Sequence, residues 1–134
     1  MTKKIKERAK TDMHIVYSNL KERFGEPFIT RSYKIADDRN GEVDFHVYID
    51  GGKKIYIDLF HPSSVNSFGV MVGRKIRKFD NNLSWGETYL VNMNITIPTK
   101  TKKQLPENIK LVSLLELLNI IKEMKPSEKL AWML

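Results

Sequence analysis

Cysteine is absent from the chain, which rules out disulfides and thiolate-bound metals and makes a reducing, cytoplasmic setting the expectation. No apolar run approaches the roughly 18 residues a membrane helix needs, so no membrane association is expected. The opening MTKKIKERAK is basic but has no apolar stretch behind it, so it does not read as a secretory signal. Histidine is scarce, at 3 residues, and none sits at the spacing of a helical zinc pair. The 7 glycines and 5 prolines are too scattered for a linker or a low-complexity tract, and there is no internal repeat. Neither Gly51-Gly52 nor the pair Gly69 and Gly73 belongs to a P-loop or a dinucleotide fingerprint. Acid is also short relative to base: 16 Asp and Glu against 23 Lys and Arg leave a net charge of +7. An excess of that size in a small protein points to a polyanionic partner, nucleic acid first, although solubility alone also explains it.

The 134 residues, 41% hydrophobic and 29% charged, fit a single domain spanning 1–134 with a core of its own. Residues 2–24 read as a helix whose Met13, Val16, Tyr17, Leu20 and Phe24 share one face, ended by Gly25 and Pro27. FITRSYKI (28–35) reads as a strand and ADDRNGE (36–42) as a turn. VDFHVYIDGGKKIYIDLFHP (43–62) supplies two more strands. Residues 63–79 read as a helix weakened by two glycines, and 87–95 as a fourth strand. After the basic loop PTKTKKQLPEN comes a strand-like IKLV, then a helix capped by Ser113 with Glu116 three residues on. The order predicts an α/β fold of the α+β kind, a mixed sheet flanked by helices.

The hairpin raises the functional question, because it places Asp44 and Asp58 on strands, where aspartate is disfavoured. A two-residue Gly51-Gly52 loop would mix apolar and charged residues on both faces. A three-residue loop, Asp50-Gly51-Gly52, with a type I turn and the last glycine left-handed, sorts them. Val47 then meets Ile55, Phe45 meets Ile57 and Val43 meets Leu59 on an apolar face. The other face carries Asp44 opposite Asp58, His46 opposite Tyr56 and Tyr48 opposite Lys54. Two carboxylates that close raise each other's pKa unless a cation lies between them. Oxygen ligands so placed suit Mg²⁺ or Mn²⁺, which complete their shell with water and substrate phosphate. An exposed pair neutralised by neighbouring lysines is the plainer alternative.

On the helix after the hairpin, Phe68, Met71, Val72, Ile76 and Phe79 form a stripe with Lys75 in its middle. Such a lysine needs a carboxylate partner or must snorkel; Asp44 and Asp58 are the natural partners if the helix covers their face. It would then serve either as a structural ion pair or as a group polarising water or phosphate. Asp12 lies at the edge of the first helix's stripe, as a third acid or as a boundary residue. His46 shares the predicted face of Asp44 and is a candidate ligand or proton shuttle, while His61 precedes Pro62 as a turn residue. Lys100, Lys102 and Lys103 form a loop suited to phosphate, or simply a solvated one. Trp85 and Tyr89 could stack on bases, with core packing as the plainer role. The apolar end LAWML would pack back on the domain or into a partner.

With these residues placed, the chain resembles the PD-(D/E)XK nuclease superfamily, the restriction-endonuclease-like fold. The resemblance covers the core order α-β-β-β-α-β over about residues 5–95, followed by a C-terminal helix. The run LPENIKLVSLLELLNII is similar to the ending of very-short-patch-repair-type members. The resemblance implies that Asp44 and Asp58 bind Mg²⁺ or Mn²⁺, that Asp12 assists, and that phosphodiester bonds in nucleic acid, DNA first, are hydrolysed. One departure stands out: the family's lysine belongs two residues after the second acid, where this chain has Phe60. Members that move the lysine to the following helix would make Lys75 or Lys78 its replacement. Arg74, Arg77, Lys78, Lys100, Lys102 and Lys103 would contact the backbone. A member that keeps the fold but only binds nucleic acid or a protein partner is the alternative, and a homodimer is expected by analogy with nucleases that cut both strands.

Overall fold

The computed structural model describes residues 3–34, 42–80, 87–102 and 104–127. Helix α1 (Lys3–Phe24) ends where Gly25, at φ 92°, turns the chain into a short 3-10 turn with Pro27 near its start. Strand β1 (Ile29–Lys34) follows, then β2 (Glu42–Ile49), the Asp50–Gly52 turn and β3 (Lys53–Phe60). Helix α2 (Val65–Asp80) leads to β4 (Glu87–Asn92), and β5 (Ile109–Ser113) runs directly into α3 (Leu114–Glu123). The protein is thus α+β, with a five-stranded mixed sheet in the order β1-β2-β3-β4-β5. β1, β2 and β3 form an antiparallel meander; β4 lies parallel to β3, and β5 parallel to β4. The strand-like IKLV is therefore a full edge strand, which the predicted element order did not include.

The hairpin adopts the three-residue loop, with Val47 opposite Ile55, Phe45 opposite Ile57, His46 opposite Tyr56 and Tyr48 opposite Lys54. The turn itself departs from the expected one. Both Gly51 (φ 78°) and Gly52 (φ 72°) are left-handed, not the second alone. A Cβ at Gly51 would meet nothing within 4 Å, so a substitution there is opposed by the backbone alone. Gly51→Ala is expected to lower stability by about 1–2 kcal/mol, read as a lower urea midpoint at unchanged slope.

The regular pairing of β2 with β3 ends at Phe45 and Ile57. On the other side of β2, the ladder passes from Arg31↔Phe45 to Tyr33↔Val43, with Ser32 at the left-handed φ of 52° between them. Asp44 thus sits at an irregularity in both of its ladders, the kind of place where a strand re-aims its side chains. Val43 changes sides there. It packs with Tyr56, Phe60 and the α2 residues Phe68 and Val72, not on the apolar face expected from strict alternation.

The sheet separates two cores. On one face Val16, Leu20 and Phe24 of α1 and Leu117 and Ile121 of α3 pack on Phe45, Val47, Ile55 and Ile57. On the other, Phe68, Val72 and Phe79 of α2 cover Tyr56, Phe60 and Leu90. Helix α2 starts at Val65, two residues later than its periodicity suggests, because Ser64 and Ser67 cap it: Ser67 N–H donates to Ser64 Oγ, and the Ser63 and Ser64 N–H groups donate to Ser67 Oγ. β4 ends at Asn92 rather than running to residue 95, because side chains replace the ladder. The Asn92 amide nitrogen donates to Ile97 O and Thr99 Oγ1, and that of Asn94 donates to Pro62 O. The α3 capping box forms as expected, with Ser113 and Glu116 bonding each other's backbone N–H. No described helix is long and apolar enough to cross a membrane.

Candidate functional site

Beyond the last regular pair of β2 and β3, carboxylates do the work of backbone carbonyls. Leu59 N–H donates to Asp44 Oδ2 at 2.7 Å, and Asp44 N–H donates to Asp58 Oδ1 at 3.2 Å. The two acids are therefore brought together, each holding the opposite strand. Asp58 is buried at 2% exposure and is met by two cations from α2. Lys75 Nζ forms an ion pair and hydrogen bond with Asp58 Oδ2, and Lys78 Nζ lies 3.6 Å from the same oxygen. The lysine in the middle of an apolar stripe thus lands on a carboxylate because α2 covers the acid-bearing side of the sheet. Lys78 also passes over the Phe79 ring, 5.1 Å from its centroid.

Both lysines serve Asp58, which leaves Asp44 less compensated. Burial first, and then repulsion from Asp58, push the Asp44 carboxyl up from 3.8 to about 7, against the opposing pull of the Leu59 N–H and Lys75. Near neutral pH this carboxyl is therefore divided between its protonated and charged forms. Two converging hard oxygen donors, one of them short of positive charge, fit a divalent cation such as Mg²⁺ or Mn²⁺. No third Asp, Glu or His joins them in a metal-holding group among the described residues.

Asp12 is not part of this cluster. It is half-buried on α1, the helix packed on the opposite face of the sheet from α2. His46 shares the side of Asp44 but is enclosed at 2% exposure. Its ring stacks on Tyr33 at 4.3 Å and lies against Tyr48 and Tyr56 at 4.8 and 5.2 Å. Both ring nitrogens are buried without a hydrogen-bond partner, and burial, helped by Lys54, lowers its pKa to about 4. Alternation correctly placed His46 on this face, but the tyrosines contributed by β1 and β3 close over it. Phe60, where the resemblance leads to the expectation of a lysine, is a core residue packed 5.7 Å from the Phe68 ring. Tyr89 is buried in the other core, with its hydroxyl donating to Glu87. Arg74, Arg77, Lys100 and Lys102 are exposed. Lys103, Trp85, residues 36–41 of the predicted turn and the LAWML end lie outside the described residues.

Asp44 and His46 pull the pH dependence of stability in opposite directions. Asp44 binds its proton more tightly folded (about 7) than unfolded (3.8), so its contribution falls as pH rises through that window. His46 binds its proton more weakly folded (about 4) than unfolded (6.5), so its contribution is complete above 6.5 and is lost as pH falls toward 4. Between about 4 and 6.5 the two nearly cancel. In Asp44→Asn the falling contribution is removed, and stability is expected to climb with pH across that window. A pH series of urea denaturations checks this; a flat midpoint in the variant would contradict it.

No family model, curated protein or solved structure matches the chain.

Proposed function

We propose that this protein is an Mg²⁺- or Mn²⁺-dependent endonuclease of the PD-(D/E)XK kind that hydrolyses phosphodiester bonds, DNA first. The observation that carries this reading is the meeting of Asp44, Asp58 and the α2 lysines, which supplies the acid pair and the cation despite Phe60 at the usual lysine position. When bound, a divalent cation would lower the pKa of a water and neutralise the phosphate. Asp44 and Asp58 would hold it. Lys75, with Lys78 beside it, would stabilise negative charge developing on the phosphate oxygens. The water oxygen would bond to phosphorus and lose its proton to solvent, while the P–O bond to the leaving strand breaks and the departing oxygen takes a proton from solvent.

A second reading has its own support. Lysine already neutralises Asp58, so the same cluster could be a structural clasp in a fold that binds nucleic acid without cutting it. Plasmid nicking separates the two. The nuclease reading predicts conversion of supercoiled to open-circular DNA with Mg²⁺ or Mn²⁺, abolished by EDTA and slowed at least about 100-fold by Lys75→Ala, in line with loss of one electrostatic stabiliser. Salt-sensitive binding with no nicking in either metal would establish the second reading instead.

A further inference from the structure

Lys10, Met13, His14 and Arg31 line an open groove of about 410 Å³ between α1 and the edge strand β1. Three of the four carry basic side chains and none is acidic. Lys10, Met13, His14 and Tyr17 follow one another at i, i+3, i+4 and i+7, which gathers them on one side of α1. Asp12 lies about 200° of helical rotation from both Lys10 and His14, so the acid nearest in sequence is turned away from the groove.

Arg31 is held in place by apolar contact. Its guanidinium lies over the Tyr17 ring at 4.6 Å, and that ring stacks on the buried Phe45 at an interplanar angle of 4°. Among the described residues no carboxylate forms a salt bridge with Lys10, His14 or Arg31. A guanidinium resting on an aromatic ring, with a lysine and an imidazole lining the same groove, suits a phosphate oxygen.

The groove lies beside the strand that carries Asp44. Arg31 pairs with Phe45, the chain neighbour of Asp44, and α1 crosses the same strands with Val16 and Leu20 packed on Phe45 and Val47. Because α1 packs on the face opposite the acid pair, a strand engaged at Asp44 and Asp58 would reach Lys10, His14 and Arg31 only by passing around the β1 edge. We propose that this groove binds the phosphodiester backbone of the nucleic acid engaged at the acid pair, a role distinct from that of the α2 and 100–103 cations. The assignment rests on the nuclease reading for its substrate, not for its cationic chemistry.

The test is binding of a fluorescein-labelled DNA duplex by the full chain in EDTA, followed by anisotropy over a range of salt concentrations. Each phosphate contact contributes about 0.9 to the slope of log K against log salt. The double variant Lys10→Ala/Arg31→Ala is therefore expected to lose about 2 from the slope and at least about tenfold in affinity at moderate salt. Lys122→Ala/Lys125→Ala removes the same charge from exposed positions at the end of α3 and just beyond it, and is expected to leave the slope as it was. Equal losses in the two variants, or no loss in the first, would overturn the assignment. So would failure of the wild-type chain to bind duplex, including the case where inorganic phosphate alone shifts the His14 resonances. Normal groove behaviour in a wild-type chain that never nicks DNA would overturn the nuclease reading and leave the groove standing.

Discussion

Asp58→Ala is expected to reduce Mg²⁺-dependent nicking to background and to destabilise the fold by about 3 kcal/mol, at the low end for breaking a buried ion pair. The low end applies because Lys75 and Lys78, with side chains 24% and 17% exposed, can swing partly into water once their partner is gone. The chemistry fails because the site keeps one carboxylate and two cations, a set that repels a divalent metal. The stability loss has two parts: the freed lysines, and the Asp44 N–H that Asp58 Oδ1 accepts. Asp58→Ala/Lys75→Met should recover part of the stability and none of the activity, giving a coupling energy between neighbours in contact. Urea denaturation and plasmid nicking on the same preparations check both halves. Full activity in Asp58→Ala would end the nuclease reading.

Phe45→Ala is expected to cost about 3–5 kcal/mol, a large share of the total stability of a domain this size. Phe45 is fully buried between α1 and the sheet, stacked on Tyr17 and packed with Val16, Leu20 and Ile57. The pocket it leaves is walled by two helices and a sheet and cannot collapse without moving a whole element. Because Tyr17 supports Arg31, the same change should also weaken the α1 groove while leaving Asp58 and Lys75 in contact. Thermal unfolding measures the first effect, and NMR shifts of the Arg31 guanidinium the second. A loss below about 1 kcal/mol would mean that α1 packs less closely on the sheet than described.

Much of this was legible in the chain. Gly51 and Gly52 set the hairpin register, because only one loop length sorts Phe45, Val47, Ile55 and Ile57 onto one side. Lys75 announced a carboxylate partner by its place among Phe68, Val72 and Phe79. What escaped had physical causes that no local pattern carries. Period-2 alternation put Val43 with Phe45, but the irregularity at Ser32 and Asp44 turned it to the other core. Asn92 and Asn94 stopped β4 through side-chain bonds to residues that follow them and to Pro62. Asp12 lies at the predicted edge of its helical stripe, yet that edge faces the far side of the sheet from Asp58. The groove of Lys10, His14 and Arg31 joins residues from two elements, and the heptad-like spacing on α1 was the only part of it visible in sequence. Strand pairing lengths and the standing of IKLV as an edge strand depended on β4, whose neighbours are set by the crossover through α2.

Carrying the cation on α2 makes this centre sensitive to insertions and deletions in a way that a lysine on β3 would not be. Moving a strand residue by one position flips it to the opposite face, an all-or-none outcome. Removing one residue between Pro62 and Lys75 instead rotates the ammonium by about 100° around the helix axis and shifts it by about 1.5 Å. Such a deletion would bring Ile76 toward Asp58 in its place, and a one-residue insertion would bring Arg74. The length of the turn joining β3 to α2 therefore acts as an angular setting for the site.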